Sequence, residues 1–389
     1  MYMQLSVIIL NYNVRYFLEQ CVLSVQNAIS EMEAEIIVID NNSDDDSVLM
    51  MQQRFPDVKL IVNTENAGFP KGNNIGVANA KGKYICILNP DTVVAEDTFS
   101  KVLAFAEKQT DLGIVGCKLI DGTGNFLPES KREVPTPWVA FTKIFGLYKI
   151  FPRFRLFNQY YAMHVPENKT GKVSILVGAF MVMERSLYIE TGGFDEKCFM
   201  YSDDIDLSYM VLQKGRQNYY FHDTTVIHYK GESTVKDEKY MKRFQEAMEF
   251  FYQKHFQTSL FFTVFIKIGI LFFSFVKMFQ GKPKANPLPE SYILYSSNEF
   301  LSDKLGAVLK NKVLFLDLKK EKTVNSCLVS TGKRVEIILD NHYVSFKKCI
   351  EILETFKDKS ITFKIFPKNT SFIIGSDSKN ERGKMVKIE

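Results

Sequence analysis

Short β-branched runs alternate with helix-patterned ones along the first 120 residues, and that alternation narrows the fold more than any other feature. "LSVIIL" (5–10), "EIIVID" (35–40), "KLIVN" (59–63), "KYICIL" (83–88) and "GIVGCKL" (113–119) read as strands. Between them "VRYFLEQCVLSVQNAI", "SVLMMQQRF", "KGNNIGVANAK" and "AEDTFSKVLAFAEK" read as helices. Repeated strand–helix–strand units need crossover connections, which predicts a mostly parallel sheet. The first strand ends in Asn11 and Asn13, the second in Asp40, Asn41 and Asn42. Open α/β sheets take ligands outside the carboxyl ends of their strands, so these polar groups predict a nucleotide-type pocket.

With 389 residues and 46% hydrophobic content, the chain is long enough for a large domain plus a smaller one. A net charge of +4, spread evenly, gives no nucleic-acid footprint. Cys21, Cys86, Cys117, Cys198, Cys327 and Cys349 form no CxxC pair and are expected as reduced core thiols of a cytosolic protein. The start "MYMQLSVIILNYN" has no basic leader and reads directly as a strand. From about 126 to 170, Pro and aromatic residues break the pattern, an irregular segment of the kind that covers a site. Order returns with "SILVGAFMVM" (174–183).

Residues 260–279, "LFFTVFIKIGILFFSFVKMF", are the most apolar stretch, but Lys267 and Lys277 interrupt it. Thr263, Lys267, Ser274 and Lys277 fall on one helical stripe opposite a wide Phe and Ile face, which suits a helix lying in a membrane surface; a helix packed on the domain is the plainer alternative. The expected organisation is a catalytic domain over 1–256, an interfacial helix over 257–282, a linker over 283–290 and a small α/β domain over 291–389, ending in a polar tail.

Several constellations carry chemistry. "VIDNNSDDDS" lacks the glycine and terminal glutamate of a calcium loop, so it reads as a strand-to-helix turn whose Asp40 can also accept a hydrogen bond from the imide of a uracil or thymine. In "NTENAGFPKGNN", Gly68 and Gly72 offer backbone freedom, Asn66, Asn73 and Asn74 offer neutral donors and acceptors, and Lys71 offers charge at a helix start that favours anions. The stretch is neither a Walker loop nor a dinucleotide fingerprint, and an ordinary turn remains the bland reading. "LNPDT" sets Asp91 just past a buried strand, where one carboxylate plus diphosphate oxygens is the usual way to hold magnesium or manganese. His228 in "VIHYKGEST" reads as a structural histidine when taken alone and as a second ligand when taken with Asp91. In "CFMYSDDIDLSYM", Ser202 suits a helix cap, Asp203 and Asp206 share a face at i, i+3, and Asp204 lies about 100° around from Asp203, so the three carboxylates cannot share one task.

In their order these motifs resemble the inverting family 2 glycosyltransferases of GT-A fold, particularly the bacterial rhamnosyltransferase-like branch. The resemblance covers roughly residues 4–255 through "VIILNYN", "VIDNNSDD", "NAGFPKGNN", "LNPDT", "GAFMVMERSLYIETGGFDEKCFMYSDDIDLSY" and "IHYKGEST". It implies a Rossmann-like nucleotide-diphospho-sugar transferase domain, nucleobase contact by Asp40, and donor binding with Asn11, Asn66, Gly68, Lys71 and Asn74. It also implies a metal and diphosphate motif on Asn89 and Asp91, with His228 as a further metal ligand. Asn stands at 89 where the family's motif carries its first Asp, which removes one charge from the metal site. The family's Glu-Asp pair falls on Asp203 and Asp204, with Asp204 as the base. The function implied is transfer of a sugar from a dTDP or UDP sugar, rhamnose being suggested by the branch, to a saccharide hydroxyl in cell-surface polysaccharide synthesis. Mn2+ or Mg2+ is the implied cofactor, a lipid-linked saccharide the implied acceptor, and the inner face of the plasma membrane the implied location. Two alternatives stay open here: a silent sugar-nucleotide or glycan-binding protein of the same fold, and a polyprenyl-phosphate sugar transferase, which needs no base.

Overall fold

A computed structural model describes residues 3–136, 138–139, 142, 147–151, 154, 156–157, 159–198, 201–230, 238–256, 288–318, 334–377 and 383–388. The first sheet grows from β1 (Leu5–Asn11), every residue of which is buried. A strand of that kind needs partners on both edges, and β2 (Ala34–Asp40) and β4 (Tyr84–Leu88) flank it in parallel. β3 (Lys59–Val62) extends the sheet beyond β2, also in parallel. The crossovers are α1 (Arg15–Ala28), α2 (Ser47–Arg54) and α3 (Gly68–Ala78). α1 buries Phe17, Leu18, Cys21, Val22 and Val25 along one face. Its buried Glu19 is balanced by Arg54 at 2.8 Å and Arg15 at 3.4 Å. α3 lies hard against β1, since a Cβ at Gly72 would meet Leu10 at 2.4 Å and one at Gly76 would meet Ile8 at 2.4 Å. Gly72 therefore serves close packing, not the backbone freedom expected of it.

Beyond β4 the sheet is mixed. β5 (Thr92–Val93), β6 (Leu112–Ile120), β8 (Phe180–Glu184) and β9 (Gln217–His228) complete the order β3-β2-β1-β4-β8-β6-β9-β5, and β7 (Gly171–Val173) pairs with β9 off this path. β8 runs antiparallel to β4 and β6, and β5 and β7 antiparallel to β9, while β6 and β9 pair in parallel. Within the ordered run 174–183, Gly178 and Ala179 form a turn and the strand begins at Phe180. α4 (Thr98–Ala106), α5 (Arg185–Thr191), α6 (Asp203–Gln213) and α7 (Glu238–His255) follow. Asp206 of α6 is buried and joins Lys254 at 2.8 Å and His255 at 2.5 Å, fastening α7 to α6.

A second sheet has the order β11-β10-β12-β13-β14-β15, built from β10 (Ser291–Ser296), β11 (Val313–Asp317), β12 (Val335–Asp340), β13 (Ile361–Phe366), β14 (Phe372–Gly375) and β15 (Lys384–Lys387). α8 (Phe300–Leu309) and α9 (Phe346–Thr355) accompany it. β15 lies in the stretch expected as a polar tail; Met385 and Val386 supply enough apolar surface for it to pair antiparallel with β14. Val14, Phe17, Ile120, Ile227 and Tyr229 of the first sheet's layer share one apolar cluster with Ile337, Phe346, Phe363 and Phe372 of the second. Glu96 crosses the same boundary, accepting the Phe346 and Lys347 backbone N–H groups at 2.8 Å each, which caps α9. The expected interfacial helix (257–282) and nearly all of the linker (283–290) lie outside the described residues. No helix among the described residues is long and apolar enough to cross a membrane. Cys21, Cys86, Cys117, Cys198 and Cys349 are buried thiols, while Cys327 lies outside the described residues.

Candidate active site

The carboxyl ends of β1, β2 and β4 open onto a cleft of about 370 Å3. At the β1–β2 corner the pairing sets Asn11 beside Asp40. Asp40 is closed on its own turn: one carboxylate oxygen accepts Asn11 Nδ2 at 2.8 Å and Ser43 Oγ at 2.7 Å, the other the Ser43 backbone N–H at 2.9 Å. Asn13 and Asn42 take φ of 57° and 61°, a left-handed region that Asn tolerates. The cleft surface at this corner consists of Leu10, Tyr12, Asn41 and Asn66, with Gly68 and Phe69 from the start of α3. Gly68 has φ 80°, and its backbone N–H reaches Asn66 Oδ1 at 3.0 Å while its carbonyl accepts Asn41 Nδ2 at 3.1 Å.

A second corner is made by the two-residue strand β5. Thr92 pairs with His228 and the Tyr229 N–H reaches the Asp91 carbonyl at 3.0 Å, which brings together residues 137 positions apart. His228 Nε2 stands 3.4 Å from Asp91 Oδ1 and 3.4 Å from Asn89 Nδ2. Asn89 Oδ1, Asp91 Oδ1 and His228 Nδ1 are buried and have no hydrogen-bond partner among the described residues. Buried polar atoms without partners cost about 1–3 kcal/mol each, so three in one corner call for a ligand. A carboxylate, an amide and an imidazole suit a divalent cation that completes its shell from substrate oxygens. Among the described residues no group of three or more His, Cys, Asp or Glu is placed to hold a metal ion by itself.

At the third corner α6 begins beneath the irregular segment. Asp204 Oδ2 accepts Arg132 Nη2 at 2.5 Å and the Gly178 N–H at 3.1 Å. Asp203 forms no ion pair among the described residues: burial first, and then the charge of Asp204, push its carboxyl up to about 7. Tyr201, just before the helix, lines the cleft at φ 83°, a backbone state that costs an aromatic residue about 1–3 kcal/mol. Ser202 holds the cap position but makes no capping side-chain bond; its Oγ lies 3.1 Å from Cys198 Sγ instead. Glu129 and Lys230 form an ion pair in the cleft wall. Tyr160 and Tyr161 also line the cleft.

The chain matches the glycosyl transferase family 2 profile over residues 6–192. Residues 6–192 are thus a glycosyl transferase family 2 match. The transferase is 26% identical over 247 residues to the N-acetylglucosaminyl-diphospho-decaprenol L-rhamnosyltransferase of Mycobacterium tuberculosis, covering 60% of this chain and 78% of that one. It is 27% identical over 177 residues to the rhamnosyltransferase WbbL of Escherichia coli, covering 42% of this chain and 61% of that one. Among solved structures it is similar to a mannosyltransferase of Pyrobaculum calidifontis in complex with GDP-Man and Mn2+, with 17% identity, a TM-score of 0.45, and coverage of 67% of this chain and 66% of that one. It is accordingly a rhamnosyltransferase-like glycosyltransferase, an enzyme of class EC 2.4.

Of the residues expected to bind donor, Asn66, Gly68 and Asn89 line the transferase's cleft, as do Asp203, Asp204 and His228, with Asp91 buried directly behind. Asn11 and Asp40 sit one layer beneath the surface, and their bonding shapes the β1–β2 corner. Lys71 is half-exposed and pairs with Glu65 at 3.6 Å away from the cleft lining. Asn74 is committed to the 188–196 segment, through the Phe194 carbonyl at 2.9 Å and Tyr188 Oη at 2.6 Å. Both face away because α3 presents its glycines to β1 and turns these side chains outward. Sequence reasoning missed Arg132, Glu129 and Lys230. Lys230 was within reach, two positions past His228, whereas nothing local marks Arg132, whose partner lies 72 positions on.

Proposed function

We propose that the transferase passes a sugar from a dTDP or UDP sugar to a saccharide hydroxyl, with inversion at the anomeric carbon. A rhamnosyl donor and a lipid-linked acceptor in cell-surface polysaccharide synthesis are suggested by the names of the relatives. The observation that carries this reading is one cleft holding three buried polar atoms without partners among the described residues at one end and the neighbouring carboxyl groups of Asp203 and Asp204 at the other. Asn41, Asn66 and the Gly68 backbone receive the nucleoside, with Asp40 fixing the corner from beneath. Asn89, Asp91 and His228 are the residues that would hold a divalent metal, Mn2+ or Mg2+, which when bound offsets the charge developing on a leaving diphosphate. Lys230 adds a fixed cation in the same cleft.

The acceptor hydroxyl must lose a proton as it attacks, and a carboxylate is the group to take it. Arg132 Nη2 and the Gly178 N–H hold Asp204 Oδ2 and so fix the direction of the carboxylate that would take the proton. Asp203 holds its own proton up to about pH 7, so the site carries one negative charge fewer next to the incoming hydroxyl. The aromatic walls, Tyr12, Phe69, Tyr160, Tyr161 and Tyr201, offer stacking faces for the sugars and exclude water. Asp204→Asn should leave donor binding nearly intact while turnover falls about 10²- to 10⁴-fold, the scale of a general base. Full turnover by that variant on a panel of nucleoside diphosphate sugars would refute the assignment and favour a phosphate acceptor.

A further inference from the structure

The β1–β2 corner carries a run of side-chain amides whose directions are set by the backbone. β2 and β3 pair with Asp40 opposite Val62, which brings Asn41 and Asn63 side by side just past the two strand ends. Asn63 Nδ2 donates to Asn41 Oδ1 at 2.8 Å, and Asn41 Nδ2 donates in turn to Asn66 Oδ1 at 3.3 Å and to the Gly68 carbonyl at 3.1 Å. The Gly68 N–H closes the run on Asn66 Oδ1 at 3.0 Å. A carbonyl can only accept and a backbone N–H can only donate, so Gly68 fixes which way the amides of Asn41 and Asn66 face. Both hydrogen bonds of Asn66 among the described residues therefore fall on its oxygen. Its Nδ2, with two protons to give, is left for the cleft that Asn66 lines. Asp40, the group expected to meet the base, is 1% exposed behind that lining, and three donors already sit on its two oxygens.

We infer that Asn66 selects the nucleobase, donating from Nδ2 to the carbonyl oxygen at position 4 of a uracil or thymine. The ribose leaves such a base at N1 and leads toward the diphosphate at the Asn89, Asp91 and His228 corner. The edge that reaches the β1–β2 corner is therefore the remote one, at positions 3 and 4. Uracil and thymine present a carbonyl there. Cytosine presents an amino group instead, which sets two donors against each other and leaves both without an acceptor. This rests on the reading that the corner receives the nucleoside of a sugar nucleotide, and it names the group that discriminates the base.

Asn66→Asp is the sharpest test, because aspartate keeps the oxygen that Gly68 and Asn41 require and replaces the free donor by an acceptor. Binding of UDP, dTDP and CDP to the full-length protein is measured by calorimetric titration at constant Mn2+, and the melting temperature of each variant is recorded. The ratio of affinities is read, since the added charge weakens all three nucleotides. The parent should prefer UDP and dTDP over CDP by about 10- to 100-fold, the scale of one donor left without an acceptor. Asn66→Asp should reverse that order, and Asn66→Ala should bring the ratio close to one. A folded Asn66→Asp variant that keeps the parent's preference overturns the inference and leaves the sugar-nucleotide reading standing. If Asn66→Asp melts early, Asn66→Ala decides, and an unchanged ratio again overturns it. Equal binding of UDP and CDP by the parent does the same. A parent that binds none of the three nucleotides removes the nucleoside reading of the corner and this inference with it.

Discussion

Asp203→Asn should make the protein more stable and the enzyme worse. In the folded chain Asp203 is raised from 3.8 to about 7, first by burial and then by the charge of Asp204; Arg132 and the backbone N–H groups of Asp203 and Tyr201 offset this only in part. Unfolded, the same carboxyl ionises near its ordinary value. Between about pH 4 and pH 7 the folded state therefore binds more protons, so stability is lost as pH rises through that window and the loss levels off above it. Roughly 3 units at 1.4 kcal/mol each set a ceiling of about 4 kcal/mol. Asn keeps the shape and one acceptor oxygen but never ionises. The gain of the variant over the parent should be near zero at pH 4, grow up to pH 7 and stay constant beyond. At ~2 °C per kcal/mol for a chain of this size, that is a rise in Tm of up to ~8 °C at pH 8. Differential scanning calorimetry from pH 4 to 8.5 measures it, alongside turnover, whose dependence on pH near 7 should flatten in the variant. If the two Tm profiles run parallel across the range, Asp203 is not a neutral carboxyl in the folded protein and the reasoning fails.

Two further outcomes follow from other corners. Asp91→Ala removes the one carboxylate of the second corner, so Mn2+-dependent binding of UDP or dTDP should weaken at least ~10-fold in calorimetric titration while binding in EDTA is unaffected; equal losses in both conditions would mean that Asp91 is structural. Glu96→Ala frees two backbone N–H groups at the start of α9 and should cost ~1–2 kcal/mol, read as a lower Tm with the active-site pH profile unchanged.

What the sequence revealed was what local pattern encodes. The runs at 5–10, 35–40 and 83–88 fall on β1, β2 and β4 because strands buried on both faces must be continuously apolar. β5 escaped, since two residues carry no period, yet it is the element that sets Asp91 against His228. Order along the chain suggested that pair; only an antiparallel contact between distant segments could create it. Lys71 and Asn74 looked like donor-binding groups by composition, but the direction each faces on α3 follows from Gly72 and Gly76 lying on β1. Arg132 was unreadable for a similar reason: a basic residue in an irregular segment acquires its meaning only from a carboxylate 72 positions away.

The bond from Glu96 to α9 bears on how this chain can be divided. Glu96 lies five positions after Asp91, within the catalytic half, yet it completes a helix of the second sheet. A fragment ending near residue 256 would keep every residue of the cleft and still present Phe17, Ile120, Ile227 and Tyr229 to water. The second sheet alone would keep the Ser345 cap of α9 but leave the Phe346 and Lys347 N–H groups without Glu96, and would carry the complementary bare face. Neither half is a portable module: shuffling one of them into another protein would have to bring along a matching surface and a carboxylate at the position of Glu96. Expression of the isolated transferase domain is best planned around that seam, with the whole chain retained.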